Sequence, residues 1–406
     1  MSEATGNRQE ASQFNRDVVV VGGCGHVGLP LAVAFASRGQ EVGIYDLNAH
    51  SVDLVNRGEM PFLEEGVGDV LAQHVGKNLM ASTDPAIISG ARFVVVVIGT
   101  PVDEHLNPDP NAVLAAIEDF VPYLSKGQTL VLRSTLYPGT TKMVERQIAE
   151  RGIDVDVSFC PERIAEGKAM VELFTLPQIV SGRNDEVIDK ASSLFLTITE
   201  RVVPMAPEEA ELAKLFTNAW RYIKFATANQ LFMMATDFGV DYDKIRRGLS
   251  VDYPRAADLP GAGFAAGPCL LKDTMQLAAF SNNNFVLGHS AMLVNEGLPL
   301  YLVSQLEQRF DLSSLKVGIL GMAFKGESDD IRSSLSYKLK RILRFRSAGV
   351  LCTDPYVHDD DSLVDLDTVL AEADLVIIAA PHNEYQDLKT DRPVINVWSS
   401  ESTGLL

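Results

Sequence analysis

The sequence predicts an α/β protein in which two parallel-sheet domains flank a long central helix and a helical middle region. Three observations carry that reading. Short β-branched runs alternate with helical stretches in the first third of the chain; one uninterrupted helical pattern follows Pro207; and the strand–helix alternation returns after Leu315.

The chain has 406 residues, 46% of them apolar, and a formal net charge of −19. That length suffices for two or three domains with cores of their own. The acid excess argues against nucleic-acid binding through a broad basic face. It also makes each well-placed Lys or Arg informative, because an anionic small ligand must be held against the global field. No apolar run reaches the length of a membrane span. The polar start, 1–16, lacks the apolar core of a signal peptide and reads as a disordered tail. A cytoplasmic protein without membrane contact is the expectation. Cys24, Cys160, Cys269 and Cys352 show no C-x-x-C spacing. No metal is therefore expected, and the thiols are expected to be reduced.

The elements follow in order. "DVVVVGGCG" (17–25) is a β-branched run ending in glycines, and "HVGLPLAVAFASRG" (26–39) has helical periodicity that stops at a glycine. "EVGIYD" (41–46) is a second strand. "ARFVVVVIGTP" (91–101) and "QTLVLRSTLYPG" (128–139) are buried strands that break at Gly or Pro. These define a first domain, 17–206. From Pro207, "PEEAELAKLFTNAWRYIKFATANQLFMMATDFG" starts on a proline and holds no glycine before Gly239. It predicts one helix of roughly 30 residues, about 45 Å long, too long for one face of a small domain. Such a helix links domains or forms a subunit interface. A second helical region, 272–308, completes a middle domain, 207–310. "LKVGILGMAF", "VLCTDP", "ADLVIIAAP" and "PVINVW" then read as parallel strands of a last domain, 311–406, without a glycine fingerprint.

Gly23, Gly25 and Gly28 form G-x-G-x-x-G after a strand and at the opening of a helix, and Asp46 ends the next strand 18 residues after Gly28. In a Rossmann-like domain Gly23 permits the tight turn, Gly25 lets the backbone approach a pyrophosphate, and Gly28 lets helix and strand pack closely. The helix start, with His26 and Val27, offers amides to phosphate. Asp46 accepts from the adenosine ribose and disfavours a 2′-phosphate, so the cofactor expected is NAD. The alternative is a glycine turn that holds nothing. Cys24 reads as a small residue tolerated in the turn, and His26 as a phosphate contact or a surface cap. Thr100 and Pro101 follow one strand, Ser134 and Thr135 another. Ligands sit beyond such strand ends, yet Ser134 and Thr135 also suit capping of the next helix.

Glu162 and Arg163 lie in "SFCPERIAEGKA" (158–169), with Glu166 one turn later if the segment is helical. Each taken singly is equally a solvated surface charge. Cys160 reads as packing. Lys214 and Asn218 are i and i+4 on the long helix and share a face. They can serve a substrate hydroxyl and an oxyanion, or merely decorate a solvent face. Cys269 precedes a helix beginning near Leu270 or Leu271, with Lys272 and Asp273 in its first turn. A cysteine there has a larger thiolate fraction. A dehydrogenase can make its electrophile by oxidising an alcohol to an aldehyde. Nucleophile and packing residue both remain open on the local sequence.

Taken in order, "VVGGCGHVGLPLA", "VIGTP", "RSTLYPGTT", "CPERIAEGKA", "AELAKLFTNAW", "GPCLLKDT", "GMAFKGESDDIRSS" and "DPYV" resemble the UDP-glucose/GDP-mannose dehydrogenase family over nearly the whole chain. The resemblance implies a two-step, four-electron oxidation of a sugar CH2OH to a carboxylate with two NAD. It implies Cys269 as nucleophile, Lys214 as oxyanion partner and Asn218 as the holder of the substrate hydroxyl. Asp273, Glu162 and Thr135 would position and activate water. Glu166 and Arg332 would touch the cofactor, and Arg163, Phe264, Phe324 and Lys325 the substrate. Arg255 would be lent by a neighbouring subunit. The UDP-sugar would sit on the last domain, and the long helix would pair subunits in a homodimer or larger homo-oligomer. Two departures bear on specificity. Ala266 stands where the family usually has a glycine, and Leu271 where proline is common. "CPER" and "YPR" (253–255) resemble the branch that uses UDP-N-acetylhexosamines. Its rivals are a UDP-glucose 6-dehydrogenase, a single-step β-hydroxyacid dehydrogenase that needs no Cys269, and a catalytically silent binding homologue.

Overall fold

The computed structural model describes residues 14–100, 103 and 108–398. The chain packs as two compact units that divide between Leu215 and Phe216.

In the first unit, β1 (Arg16–Val21), α1 (Gly28–Ser37), β2 (Val42–Tyr45), α2 (Ala49–Asn56), α3 (Val67–His74), β3 (Leu79–Ser82), β4 (Ala91–Val96), α4 (Pro110–Glu118), β5 (Thr129–Leu132), α5 (Thr140–Glu150) and β6 (Asp156–Phe159) follow one another. The six strands form one parallel sheet in the order β3-β2-β1-β4-β5-β6. Val18, Val19 and Val20 are fully buried on both faces of β1. This explains the unbroken β-branched run, since a parallel sheet is covered on both sides. Burial of each such side chain contributes about 1.5–3 kcal/mol. The strand order reverses between β1 and β4, which puts the loops after those strands beside a crevice at the sheet's carboxyl edge. α6 (Ala169–Thr175), β7 (Gln178–Ser181), α7 (Asp185–Phe195) and β8 (Val202–Met205) complete the unit, with β7 and β8 paired in parallel.

α8 runs from Pro207 to Phe238, 32 residues without a break, as the glycine-free stretch predicts. The second unit holds α9 (Tyr242–Ser250), α10 (Leu270–Phe280), α11 (Val286–Glu307), β9 (Lys316–Leu320), α12 (Leu335–Arg346), β10 (Gly349–Thr353), α13 (Leu366–Glu372), β11 (Leu375–Ile378) and β12 (Val394–Asn396). Its four strands are parallel, in the order β10-β9-β11-β12. The helical region expected over 272–308 is two helices. They part at Ser281–Phe285, where Asn282 and Asn283 take positive φ, the left-handed conformation that asparagine tolerates. The strands end sooner than the apolar runs do. β1 stops at Val21 because Gly22 turns the chain at φ 72°, where a Cβ would stand 2.0 Å from Val97 O. The expected tail, 1–16, lies largely outside the described residues.

Candidate active site

The glycine turn has a division of labour. A Cβ on Gly23 would sit 2.8 Å from Val20 O, and one on Gly28 would sit 2.7 Å from Gly22 O, so both glycines are required by the chain itself. Gly25 is different: it is exposed, and a Cβ there would find nothing nearer than Gly22 O at 3.9 Å. Its missing side chain leaves room for something other than protein. α1 opens with no acid in its first turn and no side-chain cap from Val27, so its amides face outward as an anion site requires. His26 supplies no cap either. Its ring lies 4.0 Å from that of Phe62, and Nδ1 is buried without a hydrogen-bond partner.

Asp46, half-buried at the end of β2, accepts from Cys24 N–H at 2.9 Å and Asn48 N–H at 3.0 Å. One contact goes to each oxygen, which fixes the carboxylate at the lip of the turn with lone pairs to spare. Burial, and then the Asp46 carboxylate, push the Cys24 thiol up to about 12. Cys24 is an inert thiol within the turn.

The loops after β4 and β5 are fastened to each other. The Ser134 hydroxyl donates to Ile98 O at 2.7 Å and accepts from Ile98 N–H at 2.9 Å. Thr135 follows it, and Thr100 ends the described part of the β4 loop; Pro101 lies outside the described residues. Neither Ser134 nor Thr135 is the N-cap of α5. That position is Gly139, and the first amides of α5 are met instead by Glu211 of α8. Burial pushes the Glu211 carboxyl above its usual range, against the lowering effect of these donors.

Glu162 is buried, and the structure commits both of its oxygens. Oε2 accepts from the Arg133 guanidinium at 2.5 Å; Oε1 accepts from Arg163 N–H at 2.6 Å and Ile164 N–H at 2.9 Å. Arg133 is fully buried, donates also to Cys160 O and Gln178 Oε1, and stacks on the Phe195 ring at 4.7 Å. The segment from Glu162 to Ala165 is not helical, so Glu166 is not one helical turn from Glu162. Amides there are satisfied by side chains rather than by a helix ladder. Glu172 accepts from Ala165 N–H, and Glu64 accepts from Gly167 N–H and Ala169 N–H. Arg163 donates to Pro177 O. Cys160 is buried packing, as expected.

On α8, Lys214 is half-buried and no carboxylate pairs with it among the described residues. Asn218, one turn on, is 3% exposed and donates to Asp273 Oδ2 at 2.6 Å. That excludes solvent decoration for Asn218. Asp273 is fully buried in the first turn of α10. Cys269 is the N-cap residue of α10, offers no side-chain cap, and is exposed. The other three cysteines are buried, and burial pushes each thiol upward. Cys269 thus stands apart from them: it alone is exposed, and it sits at a helix N-terminus, where a thiolate is favoured.

The chain ahead of Cys269 is pinned. Gly263 is gripped by Asn229, which donates to its carbonyl at 3.0 Å and accepts from its amide at 2.9 Å. Gly267 takes φ 99°, and a Cβ there would stand 2.7 Å from the Phe324 ring. Phe324 therefore lies against the backbone two residues before the thiol, and Lys325 Nζ lies 5.6 Å from that ring. The Phe264 ring packs in the core, 2% exposed. Arg255 is exposed and stacks on Tyr253 at 4.6 Å. The Arg332 guanidinium makes paired contacts with Asp330, the shortest 2.6 Å. No cluster of three or more metal-ligating side chains occurs among the described residues. No described helix is long and apolar enough to cross a membrane.

Sequence reasoning missed Arg133, Glu211 and Asp354. Each was inside a quoted stretch, but its partner lies elsewhere in the chain. Only the raised cost of burying a charge marks such residues, and that cost is invisible before burial is known.

A parallel sheet with a glycine turn, an open helix start and a fixed acid at its switch point is the cofactor unit of a dinucleotide-dependent dehydrogenase. Comparison with known proteins narrows that class. The chain matches the NAD binding domain of one family over residues 17–199, its central domain over 208–296 and its UDP binding domain over 318–397. It is 30% identical over 401 residues to the UDP-N-acetyl-D-mannosamine dehydrogenase of Salmonella typhimurium, covering 91% of this chain and 94% of that protein. Among solved structures, the UDP-glucose dehydrogenase of Pyrobaculum islandicum superposes with a TM-score of 0.88 at 26% identity, covering 97% of this chain and 96% of that one. The UDP-D-ManNAc dehydrogenase of Pyrococcus horikoshii does so at 0.86 and 26%, covering 94% and 95%. The chain belongs to the UDP-glucose/GDP-mannose dehydrogenase family, NAD-dependent oxidoreductases of nucleotide sugars.

Proposed function

We propose that this enzyme oxidises the CH2OH of a UDP-N-acetylhexosamine to a carboxylate in two steps, through a covalent bond to Cys269. The observation that carries the proposal is Cys269 itself. It is the one exposed thiol of four, in the same unit as a buried Asn218–Asp273 pair whose acid lies one turn along α10. Gly25, the open amides of α1 and Asp46 would hold the pyrophosphate and ribose of NAD, which would supply the hydride acceptor for both oxidations.

The alcohol loses a hydride, its hydroxyl proton passes to water, and an aldehyde results. Sγ of Cys269 then adds to the carbonyl carbon, giving a thiohemiacetal whose oxyanion Lys214 stabilises. Loss of a second hydride leaves a thioester. Water adds, the C–S bond breaks, and acid and thiol are released. Asn218 holds the substrate hydroxyl, and its amide fixes Asp273 toward the water. Thr135 serves the water as well. Glu162, bound by Arg133 and two amides, is held rigidly beside the loop it caps and positions the water with Asp273. Glu166, Thr100, Pro101, Ser134, His26, Val27 and Arg332 belong to the cofactor side; Arg163, Phe324, Lys325 and Arg255 to the substrate side.

The N-acetylhexosamine assignment rests on "CPER", "YPR" and the names of the relatives. A homodimer or larger homo-oligomer is supported by α8. Phe216, Trp220, Leu231, Met234 and Phe238 are exposed apolar side chains at successive spacings of four, eleven, three and four along it, which keeps them on one face, as an interface requires. Four cysteines without a disulfide suit a cytoplasmic enzyme.

A panel of UDP-sugars tests the reading by NADH yield. Two NADH per sugar, with an acid product, is the expected result. One NADH, or full turnover by Cys269→Ser, makes it a single-step dehydrogenase; binding without NADH makes it a silent homologue. Preference for UDP-glucose in the panel transfers the assignment to that sugar.

A further inference from the structure

α5 is capped from a distance. Its N-cap, Gly139, has no side chain and takes φ 96°. The amides it leaves open are closed by Glu211, 70 residues beyond Thr141 on α8. Gly139 N–H donates to Glu211 Oε2 at 2.6 Å. Thr141 N–H and Thr141 Oγ1–H donate to Oε1 at 2.8 and 2.6 Å. Glu211 is fully buried.

Three other helices of this unit are capped locally, α2 by Asn48, α4 by Asp109 and α7 by Asn184; the start of α6 is met from a distance too, by Glu64, but from a loop residue rather than from another helix. A local cap closes the same amides with its side chain still near water. Sinking a carboxylate from another helix adds a desolvation penalty that a local cap avoids. What the remote cap adds is a fixed relation between two elements. The loop that ends at Gly139 carries Ser134, locked to Ile98, and then Thr135. Glu211 is followed three residues later, on the same helix face, by Lys214. At the surface, Arg183 repeats the link by bridging Glu145 of α5 and Glu208 of α8.

We propose that Glu211 is a positioning residue for the oxidation, setting Lys214 against the Ser134–Gly139 loop. The proposal rests on the roles given above to Lys214 and Thr135. A long helix anchored only by apolar contacts can rotate or slide by fractions of an ångström, and a 1 Å misplacement costs about a hundredfold in rate. Three directional bonds to a buried carboxylate remove that freedom. Glutamine keeps the shape but offers one acceptor oxygen and turns an NH2 toward N–H donors.

The test uses the full chain with the UDP-sugar found in the panel. Glu211→Gln is expected to lower kcat about 30- to 100-fold, while the Michaelis constants for sugar and NAD change by less than about threefold. The deuterium isotope effect with sugar labelled at the oxidised carbon is expected to rise, because hydride transfer becomes the slow step. Asn184→Ala is the control. It removes a local cap of the same unit and should lower Tm while leaving kcat per folded molecule and the isotope effect unchanged. A folded Glu211→Gln enzyme with wild-type kcat and isotope effect overturns the proposal, as does one whose loss matches Asn184→Ala. If Glu211→Gln does not fold, Glu211→Asp, charged but shorter, is read by the same two outcomes. Lys214→Ala separates this inference from the reading beneath it. If that variant keeps full turnover, the assigned mechanism fails; if it is inactive while Glu211→Gln is not, only the positioning role fails.

Discussion

Asp46 and Asp354 occupy equivalent places in the two parallel sheets and have different fates. Each follows the strand next to the sheet's first strand, β2 beside β1 and β10 beside β9. Each sends its carboxylate to amides at the turn after that first strand. Asp46 accepts from two amides and stays half-buried at an open lip. Asp354 accepts from the amides of Met322, Ala323, Tyr356 and Val357 and pairs with His382 Nε2 at 3.1 Å, its side chain fully buried. The other ring nitrogen, His382 Nδ1, takes Glu327 N–H at 3.0 Å. One acid keeps lone pairs for a ligand; the other has spent them on a knot of its own chain. The missing glycine fingerprint of the second sheet has a physical reason. With the acid consumed, nothing remains there for a ribose to bind in the dinucleotide manner. A UDP moiety would have to be held by other groups, and Phe324 and Lys325 are the ones proposed for it above.

The largest expected effect is on Asp354. Asp354→Ala strands four amides and an imidazole, and should cost about 3 kcal/mol or more of stability in the full chain by urea unfolding, with NAD binding by the folded fraction unchanged. Asp46→Ala should do the reverse: the Michaelis constant for NAD rises about 10- to 100-fold, and stability falls by no more than about 1 kcal/mol. Equal effects of the two substitutions on NAD would break the comparison. Gly25→Ala sharpens it. The added methyl would make only an ordinary contact, with Gly22 O at 3.9 Å, so Tm should hold while NAD binding weakens about tenfold. Gly28→Ala, driven into Gly22 O, should lower both. The smallest effect is on pH. Burial alone would raise Asp354, but the hydrogen bond and charge of His382 and the amides of Ala323 and Tyr356 outweigh it and hold the carboxyl below its usual range. A depressed acid contributes stability that is whole above the unfolded value, about 3.9, and is lost as pH falls through the folded one. Asp354→Asn should therefore flatten the acid limb of the stability curve below about pH 4.

The strands, the glycine turn and the full span of α8 were legible because period, β-branching and the absence of glycine are local signals. The i,i+4 spacing put Lys214 and Asn218 on one face of α8, but the bond from Asn218 to Asp273, 55 residues further on, was not in that spacing. The long-range polar bonds were not legible. Glu211 reads like any other acid near a helix start, and nothing in "PEEAELAK" says that one of its glutamates is buried while Glu209 is exposed. Phe264 and Glu162 show the same limit from the other side. Residue type and motif place them near a site, but only packing reveals that the ring lies in the core and that the carboxylate already has three donors.

The insulation of Cys24, Cys160 and Cys352 has a practical consequence. A thiol that is buried and held protonated reacts slowly with electrophiles, so a soluble alkylating reagent meets a folded chain with a single reactive sulfur. Under native conditions one equivalent should be consumed per chain, and inactivation should track that equivalent in direct proportion. If Cys269 carries the chemistry proposed above, thiol titration then counts the competent sites in any preparation.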